Sequence, residues 1–263
     1  MAGSLLLSAC AGGGGETPTP RPASGPEGLD PPPAEQVRSV APGLEIRPLA
    51  PGVWLHTTWR ELEGTGPFPS HGLVVQDADG LLLVDAAWGD EETVALVEWL
   101  ERELGRPVTR MLATHHHDDR LSGSAFLQGR GTPVLAHPLT TALAAEDGVL
   151  PPTPLTALAR TGSSTRLGPV EVFYPGPGHA ADNLVVWVTG TGVLFGGCAV
   201  RPGGTASLGN VADADLESWP EAIERVRARY GPRTRLVVPG HGPPGGPELL
   251  GHTTELLAAP GAR

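Results

Sequence analysis

The chain has 263 residues, enough for one or two domains, and its 29 acidic residues outnumber its 18 basic residues to give a formal net charge of −11. All of the basic residues are arginine, which excludes chemistry that needs a lysine, such as Schiff-base catalysis or a P-loop. An acidic chain without basic clusters is a poor candidate for binding nucleic acid, and two cysteines cannot build a disulfide-dense scaffold.

The first ten residues, MAGSLLLSAC, end in a segment from Leu7 to Cys10 that resembles a bacterial lipobox, in which the cysteine is lipidated. The segment lacks the basic residues and the length of a complete signal peptide, so either the true start lies upstream or the match arises by chance. Residues 11–40 are rich in Gly and Pro and nearly free of large apolar side chains, which is typical of a disordered linker. We expect a truncated lipoprotein signal over 1–10, this linker over 11–40, and one folded domain over 41–263.

Short apolar runs rich in Val and Leu follow from about Leu44 onward, separated by turn residues, as expected for strands of a buried sheet. The predicted strands cover residues 53–58, 72–77, 81–85, 108–114, 133–137, 170–174, 183–188, 193–197 and 235–240. No apolar run reaches the roughly 18 to 20 residues that span a membrane.

Helical patterns lie between these runs. Asp90 is expected to cap a helix that ends at Gly105, and Ser218 with Glu221 forms a capping-box pattern at the start of a second helix. A third helix is predicted over residues 248–258. Strands interleaved with helices indicate an α/β or a layered α+β fold. Both halves run from strands to a helix, which suggests a two-layered sandwich of similar halves.

Potential metal ligands or acids come directly after several predicted strands, where the loops of a sheet converge on ligands. They are Asp85, the segment His115–Asp119, His179, Cys198 and His241. In THHHDDR, an extended backbone would place His115, His117 and Asp119 on one side and leave His116 and Asp118 on the other. The side with three ligands is the better candidate for binding a metal.

Six candidate ligands offer nitrogen, oxygen and sulfur together, a mixture that suits Zn²⁺ rather than Mg²⁺ or Ca²⁺. A catalytic zinc keeps three protein ligands and one open position, whereas a structural zinc takes four. The six therefore divide into two sites, one formed by His115, His117 and His179 and the other by Asp119, Cys198 and His241.

The sequence around these ligands resembles the class B metallo-β-lactamases, within them the di-zinc subclass with a cysteine ligand, and most closely the VIM-type enzymes. The resemblance extends from about Pro48 to Leu257 and rests on THHHDDRLSG, FYPGPGHAADNLVVWV, LFGGCAV, SLGNVADADLESWP and VVPGHGPPGG. It implies a four-layered αβ/βα sandwich as the catalytic domain, two Zn²⁺ ions per chain, and hydrolysis of the amide bond of β-lactam antibiotics. The implied substrates are penicillins, cephalosporins and carbapenems, and the implied consequence is antibiotic resistance.

The resemblance also implies roles for residues beyond the ligand set. Asp119 would orient the nucleophile, and Asn210 would stabilise the developing oxyanion. Asp85 and Arg120 would fix the orientation of the ligands. Arg201 stands where many members have a lysine that binds the substrate carboxylate, and a guanidinium can do the same bidentately.

Two segments depart from the family pattern. His116 stands where members commonly have Phe or Ala between the first two histidine ligands. The flap at about residues 60–69 matches only loosely, although Phe68 is expected to supply its apolar contact with the substrate.

Two alternatives remain at this point. One is another hydrolase of the same fold, a thioesterase or lactonase, but those relatives usually have a histidine where Arg120 follows Asp119. The other is a secreted zinc-binding protein without catalysis. We expect a monomeric periplasmic protein that binds no nucleic acid and that a lipid on Cys10 could anchor to a membrane.

Overall fold

The computed structural model describes residues 36–260 together with Met1. The predicted lipobox, Cys10 and the predicted linker up to residue 35 lie outside the described residues. The first strand begins at Arg38, a few residues before the expected domain boundary at 41, and pairs with the second strand over Arg38 and Ile46.

The described chain contains thirteen labelled strands and six α-helices. The strands are β1 Arg38–Ala41, β2 Leu44–Ala50, β3 Val53–Leu62, β4 Gly66–Gln76, β5 Leu81–Val84, β6 Val108–Leu112, β7 Val134–Ala136, β8 Thr153–Pro154, β9 Ser164–Leu167, β10 Val170–Phe173, β11 Val185–Val188, β12 Val193–Gly197 and β13 Leu236–Pro239. The helices are α1 Asp90–Leu104, α2 Asp118–Leu121, α3 Ser124–Gly129, α4 Pro138–Glu146, α5 Trp219–Tyr230 and α6 Glu248–Ala258. The last helix has the predicted bounds.

The strands form two sheets. The first half of the molecule has an 8-stranded sheet in the order β1 to β8, and it also contains α1 to α4. The second half has a 5-stranded sheet in the order β13-β12-β11-β10-β9, together with α5 and α6. Pairing is parallel from β5 to β8 and between β12 and β13. The remaining pairs are antiparallel.

Strand β5 shows why the sheets are covered on both faces. Side chains alternate across a strand, so a strand buried on both faces must be apolar throughout. Leu81 and Leu83 pack with α1, whereas Leu82 packs in the core between the two sheets. In the second sheet, Phe195 faces that same inner core and Leu194 faces α5 and α6. The layers therefore run helix, sheet, sheet, helix, which confirms the predicted αβ/βα sandwich.

The starts of two helices differ from the expected caps in different ways. Gly89, at φ 139°, precedes α1, and the Asp90 carboxylate accepts a hydrogen bond from the Gly123 N–H at 2.5 Å instead of capping the helix, so that prediction is wrong. Ser218 stands at the N-cap position of α5 as predicted, but its side chain makes no capping bond, so the expected capping box is not formed. The Ser218 N–H itself donates to Asp215 Oδ1 at 2.9 Å.

Within residues 36–260, none of the helices combines the length and the apolarity needed to cross a membrane.

Candidate metal centre

The candidate ligands lie in loops that follow strands of both sheets. His115 and His117 follow β6, and Cys198 and His241 follow β12 and β13 directly. His179 lies in the loop between β10 and β11. The carboxyl ends of neighbouring parallel strands lie at the same edge of a sheet, so these loops meet at one edge of the sandwich.

Three imidazole rings from these loops bring one nitrogen atom each to the same point. The Nδ1 atom of His117 lies 3.0 Å from Nε2 of His115 and 3.3 Å from Nε2 of His179. A single proton cannot satisfy both contacts at once, whereas a cation between the three nitrogens would satisfy all of them. The predicted first ligand set is therefore brought together.

Burial favours the neutral form of these imidazoles, which is the form that binds metals. Burial, reinforced by the neighbouring histidines, holds the pKa of His115 well below its usual value. The same causes lower the pKa of His179 to about 3. Both rings are consequently uncharged at neutral pH and present a lone pair to that point.

The second ligand set also converges. His241 Nε2 lies 3.2 Å from Asp119 Oδ2 and 3.3 Å from Cys198 Sγ, and Cys198 Sγ lies 3.9 Å from the same carboxylate oxygen. The two sets adjoin, because Cys198 also groups with His115 and His179 within 4.8 Å. A carboxylate, a thiol and an imidazole at one point form a donor set that suits zinc.

Outer contacts fix which nitrogen of two ligand rings faces inward. His117 Nε2 lies 3.0 Å from Asp213 Oδ2, and His241 Nδ1 lies 2.7 Å from the carbonyl oxygen of Pro69. Each ring can donate its outer N–H to that oxygen, which leaves the inner nitrogen as the one that faces the other candidate ligands. Neither partner appeared in the sequence prediction, since Asp213 lies in a loop and Pro69 acts through its backbone.

Arg120 is wholly buried and connects the second ligand set to Asp85, which follows β5. Its Nη2 donates to Asp119 Oδ2 at 2.7 Å and to Cys198 Sγ at 3.0 Å, and its Nη1 donates to Asp85 Oδ2 at 3.3 Å. Burial alone would raise the pKa of Asp119, but Arg120 and His241 hold it well below its usual value. The Asp119 carboxylate is thus ionised and held in place.

Asp85 orients the segment that carries the first histidines. Its carboxylate accepts from the Thr114 N–H at 2.7 Å and from the Thr114 hydroxyl at 2.8 Å. Burial raises the pKa of Asp85 to about 6, although Arg120 and Thr114 oppose that shift. Its backbone has φ 61°, a strained value for a residue other than glycine.

The charge at His241 shows that the second set attracts a cation. Burial would lower the pKa of His241, but Cys198 and Asp119 beside it raise the pKa to about 9. The negative donors therefore stabilise positive charge at this point, which a metal ion would supply more strongly than a proton.

Gly240 allows the loops of the second set to approach closely. A Cβ atom at this position would lie 2.5 Å from Cys198 Sγ and 2.8 Å from Arg120 Nη2. Only glycine fits between the sulfur and the guanidinium without displacing one of them.

A cavity of about 1080 Å³ opens over both ligand sets. The predicted substrate contacts Phe68, Arg201 and Asn210 all line it. The Phe68 ring centroid lies 4.8 Å from that of His241, and Asn210 is exposed to the cavity. Trp88, which the sequence prediction missed, also lines the cavity and donates its indole N–H to Asp118 Oδ2 at 3.0 Å.

The local geometry of THHHDDR differs in part from the expectation. The backbone is extended at His117, at φ −64° and ψ 156°, but Asp119 lies in the short helix α2. The helical turn, rather than continued alternation, aims Asp119 at Cys198 and His241. His116 belongs to neither predicted ligand set; it lines the cavity and contacts the buried Asp182 through Nδ1 at 3.2 Å.

The known proteins to which this chain is similar all belong to one family. Residues 65–241 match the family model of the metallo-beta-lactamase superfamily. The chain is 41% identical over 218 residues to the metallo-beta-lactamase type 2 of Bacillus cereus, covering 81% of this chain and 82% of that protein. It is 35% identical over 225 residues to the metallo-beta-lactamase type 2 of Bacteroides fragilis, covering 85% and 89%. The crystal structure of the metallo-beta-lactamase FIM-1 from Pseudomonas aeruginosa, in the mono-zinc form, matches with a TM-score of 0.77 at 38% identity, covering 82% of this chain and 95% of that chain.

Proposed function

The chain belongs to the metallo-β-lactamase superfamily, and from this we propose that its two ligand sets hold two zinc ions with which it hydrolyses β-lactam antibiotics. The protein is a hydrolase that acts on β-lactams, as its relatives and its fold indicate. Zinc as the metal, and two ions per chain, are our proposals. Their main support is the convergence of two three-residue sets beside one cavity, which His117, His179, Asp119 and His241 line.

Three protein ligands per ion is the number that a catalytic zinc uses, because the remaining position is kept for water or substrate. We assign His115, His117 and His179 to one ion and Asp119, Cys198 and His241 to the other. When bound, the zinc pair would supply a water whose pKa is lowered to about 7 and would polarise the lactam carbonyl. The mono-zinc form of the Pseudomonas relative supports the choice of metal.

Residues of the chain complete the site. Asp119, kept ionised by Arg120, would accept a hydrogen bond from the attacking water and orient it. The amide of Asn210 would donate to the oxygen of the lactam carbonyl as it gains charge, and one such donor is typically worth about 2.7–4 kcal/mol. Arg201 would pair with the substrate carboxylate, and Phe68 would cover the apolar face of the substrate and exclude water.

Within the family we propose membership of the subclass with a cysteine ligand, closest to the VIM-type enzymes. The contacts of Cys198 with Asp119 and His241 support the subclass, and the sequence segments around the ligands support the VIM-type likeness. We further propose activity on penicillins, cephalosporins and carbapenems, and with it antibiotic resistance. The arginine after Asp119 favours this activity over that of a thioesterase or lactonase.

For the cellular setting we propose a monomeric periplasmic protein that is attached to a membrane when Cys10 is lipidated. The segment from Leu7 to Cys10 and the Gly- and Pro-rich composition of residues 11–40 support this. Incorporation of a labelled fatty acid that depends on Cys10 would test the anchor, and sedimentation would test the oligomeric state.

The proposed reaction is tested with purified, zinc-loaded protein and one penicillin, one cephalosporin and one carbapenem. We expect the absorbance of each lactam to decay, the decay to stop with a chelator, and zinc to restore it. S-lactoylglutathione serves as the comparison substrate for the thioesterase alternative. Turnover of the thioester without loss of any β-lactam would refute the proposal, and metal binding without turnover of either would favour a non-catalytic zinc protein.

Replacement of the sulfur ligand tests the second metal position. Cys198→Ser is expected to lower the zinc content from two ions to one per chain, because a hydroxyl is a poor zinc ligand. The loss should be measured by elemental analysis alongside β-lactam turnover. Cys10→Ser, which changes the other cysteine, should leave both unchanged. Full zinc content and full activity in Cys198→Ser would contradict the assignment.

A further inference from the structure

The charged residues that line the cavity are unevenly divided between the two halves of the molecule. The first half contributes three exposed carboxylates, Asp90, Asp118 and Asp147, which we call the acidic wall. The second half contributes Arg201, and among the described residues that line the cavity this is the one arginine. Asp213 also belongs to the second half and lines the cavity, and its carboxylate accepts the N–H of His117.

The hydrogen-bond partners of the acidic wall are uncharged, and His116, which also lines the cavity, is a titratable neighbour that interacts with Asp147. Asp90 accepts a hydrogen bond from the Gly123 N–H, and Asp118 accepts one from the Trp88 indole, so both partners are uncharged. In the described part of the chain, none of the ion pairs includes Asp90, Asp118 or Asp147. Three carboxylates are thus free to interact with a bound molecule.

Arg201 independently indicates an anionic group on that molecule. The residue is 8% exposed, and its Nε has no hydrogen-bond partner among the described residues. A buried guanidinium without a partner carries a desolvation cost that an anion would offset. The Gly209 backbone passes so close that a Cβ there would lie 2.9 Å from Arg201 Nη2, which confines the side chain at the cavity wall.

We propose that the cavity prefers β-lactams whose acyl side chain carries a positive charge. This inference rests on the proposed function and names the substrate class within it. A β-lactam with its ring carboxylate on Arg201 would direct its acyl side chain, at the other end of the bicyclic nucleus, toward the first half. An ammonium group there would face the acidic wall, with Asp147 at the outer end.

The size of the cavity fits this orientation. Its volume of about 1080 Å³ slightly exceeds the roughly 300–1,000 Å³ that is usual for small-molecule sites, which leaves room for a side chain beyond the bicyclic nucleus. Val149 and Leu150, two and three residues after Asp147, add apolar surface for the uncharged part of that side chain. The Debye length is about 8 Å at physiological ionic strength, so charges within the cavity still interact there.

Two penicillins that differ by one ammonium group test the proposal. Ampicillin carries this group on the acyl side chain and benzylpenicillin lacks it. Near pH 6 an α-amino group of ordinary pKa, about 7.7, is protonated. We expect Asp147→Asn to raise KM for ampicillin about three-fold, as for the loss of one exposed ion pair, without changing KM for benzylpenicillin or kcat for either.

Asp79→Asn is the matched control, because it makes the same change of charge at an exposed turn outside the cavity. It should change neither KM. In the unmodified enzyme, the lower KM for ampicillin should vanish in about 1 M salt, where the Debye length is about 3 Å. This second measurement does not depend on the folding of a variant.

The outcomes separate the two proposals. Failure of the unmodified enzyme to hydrolyse either penicillin would overturn the proposed function. Hydrolysis of both, with equal KM changes in Asp147→Asn, or with a similar effect of Asp79→Asn, would overturn the charge preference alone. A ratio of KM values that is insensitive to salt would overturn it as well.

Discussion

At the scale of single residues, Arg120 connects the most groups of the centre. Its buried guanidinium contacts Asp85, Asp119 and the Cys198 sulfur. One side chain therefore balances the charge of Asp85, which follows β5, and that of the second ligand set. The sequence pattern after Asp119 predicted an orienting role for this residue, and the contacts agree with that role. Its shared contact with the sulfur and two carboxylates could not be predicted, since it depends on how three loops pack.

Removal of Arg120 should therefore destabilise the fold as well as the centre. We expect Arg120→Leu to lower the free energy of unfolding by about 3–5 kcal/mol, because it leaves buried carboxylates without a partner. Denaturant unfolding monitored by fluorescence measures the change. Arg130→Leu is the control: Arg130 pairs with Glu101 at 2.8 Å on the surface, and its loss should cost less than about 1 kcal/mol. Similar losses of unfolding free energy in both variants would show that the burial of Arg120 does not increase its contribution to stability.

Sequence patterns identified the residues of the site better than the contacts that position them. The candidate ligands lie in segments that come after apolar strands, a local signal that needs no tertiary information. Asp213 and Trp88 had no such signal, because each acts only through a partner from a distant part of the chain, His117 and Asp118. The carbonyl of Pro69 is a backbone contact, which residue type does not encode.

At the scale of elements, the end of β13 is packed too closely to admit a side chain. The strand continues into Gly240, whose N–H donates to the Gly197 carbonyl at 2.7 Å and whose carbonyl accepts from the His71 N–H at 2.9 Å. These bonds join the ends of β12 and β13 to the middle of β4, and thereby place His241 opposite Cys198. The glycine is required because the sulfur occupies the space of a side chain.

Gly240→Ala is expected to displace Cys198 or Arg120 and so to weaken zinc binding at the second position. Such overpacking typically costs about 1–3 kcal/mol of stability. Zinc content and thermal unfolding are the measurements. Gly129→Ala, where an added Cβ meets nothing within 4 Å, is the control and should change neither. Normal zinc content in Gly240→Ala would show that the loop tolerates a side chain.

The elements differ in how well the sequence predicts them. Long apolar runs predicted the central strands, and the helical pattern of residues 248–258 predicted the bounds of α6. β1, β2, β8 and β9 were missed, as were the helices α2, α3 and α4. α2 spans 4 residues and α3 spans 6, too few for a periodic signal. Ser218 stands at the N-cap position of α5 as predicted, but the capping bond that its spacing from Glu221 suggested is absent, because that bond depends on side-chain conformation.

At the scale of the whole molecule, each ligand set draws on both halves. His115 and His117 from the first half meet His179 from the second, and Asp119 from the first half meets Cys198 and His241 from the second. Alternation of strands and helices predicted the two halves, but the charges that line the cavity depend on loop conformation. A bound ion in either set would link the two sheets across the core.

Zinc should consequently stabilise the fold against heat. Ligand at about 1,000 times its Kd stabilises a protein by about 4.1 kcal/mol, so removal of zinc with a chelator should lower Tm by several degrees. Scanning calorimetry with and without chelator measures the shift. The shift should be smaller in Cys198→Ser, which retains one ligand set. An unchanged Tm after complete removal of zinc would contradict a link between the halves.

The order of the ligands along the chain has a consequence for biosynthesis. A polypeptide emerges from the ribosome beginning at its amino terminus, and its early parts begin to fold first. The last ligand, His241, follows β13, which pairs with β12 only once the intervening α5 has been made. A nascent chain that ends before β13 therefore lacks a complete second site, and a full complement of metal marks a chain in which β13 and His241 have already been made.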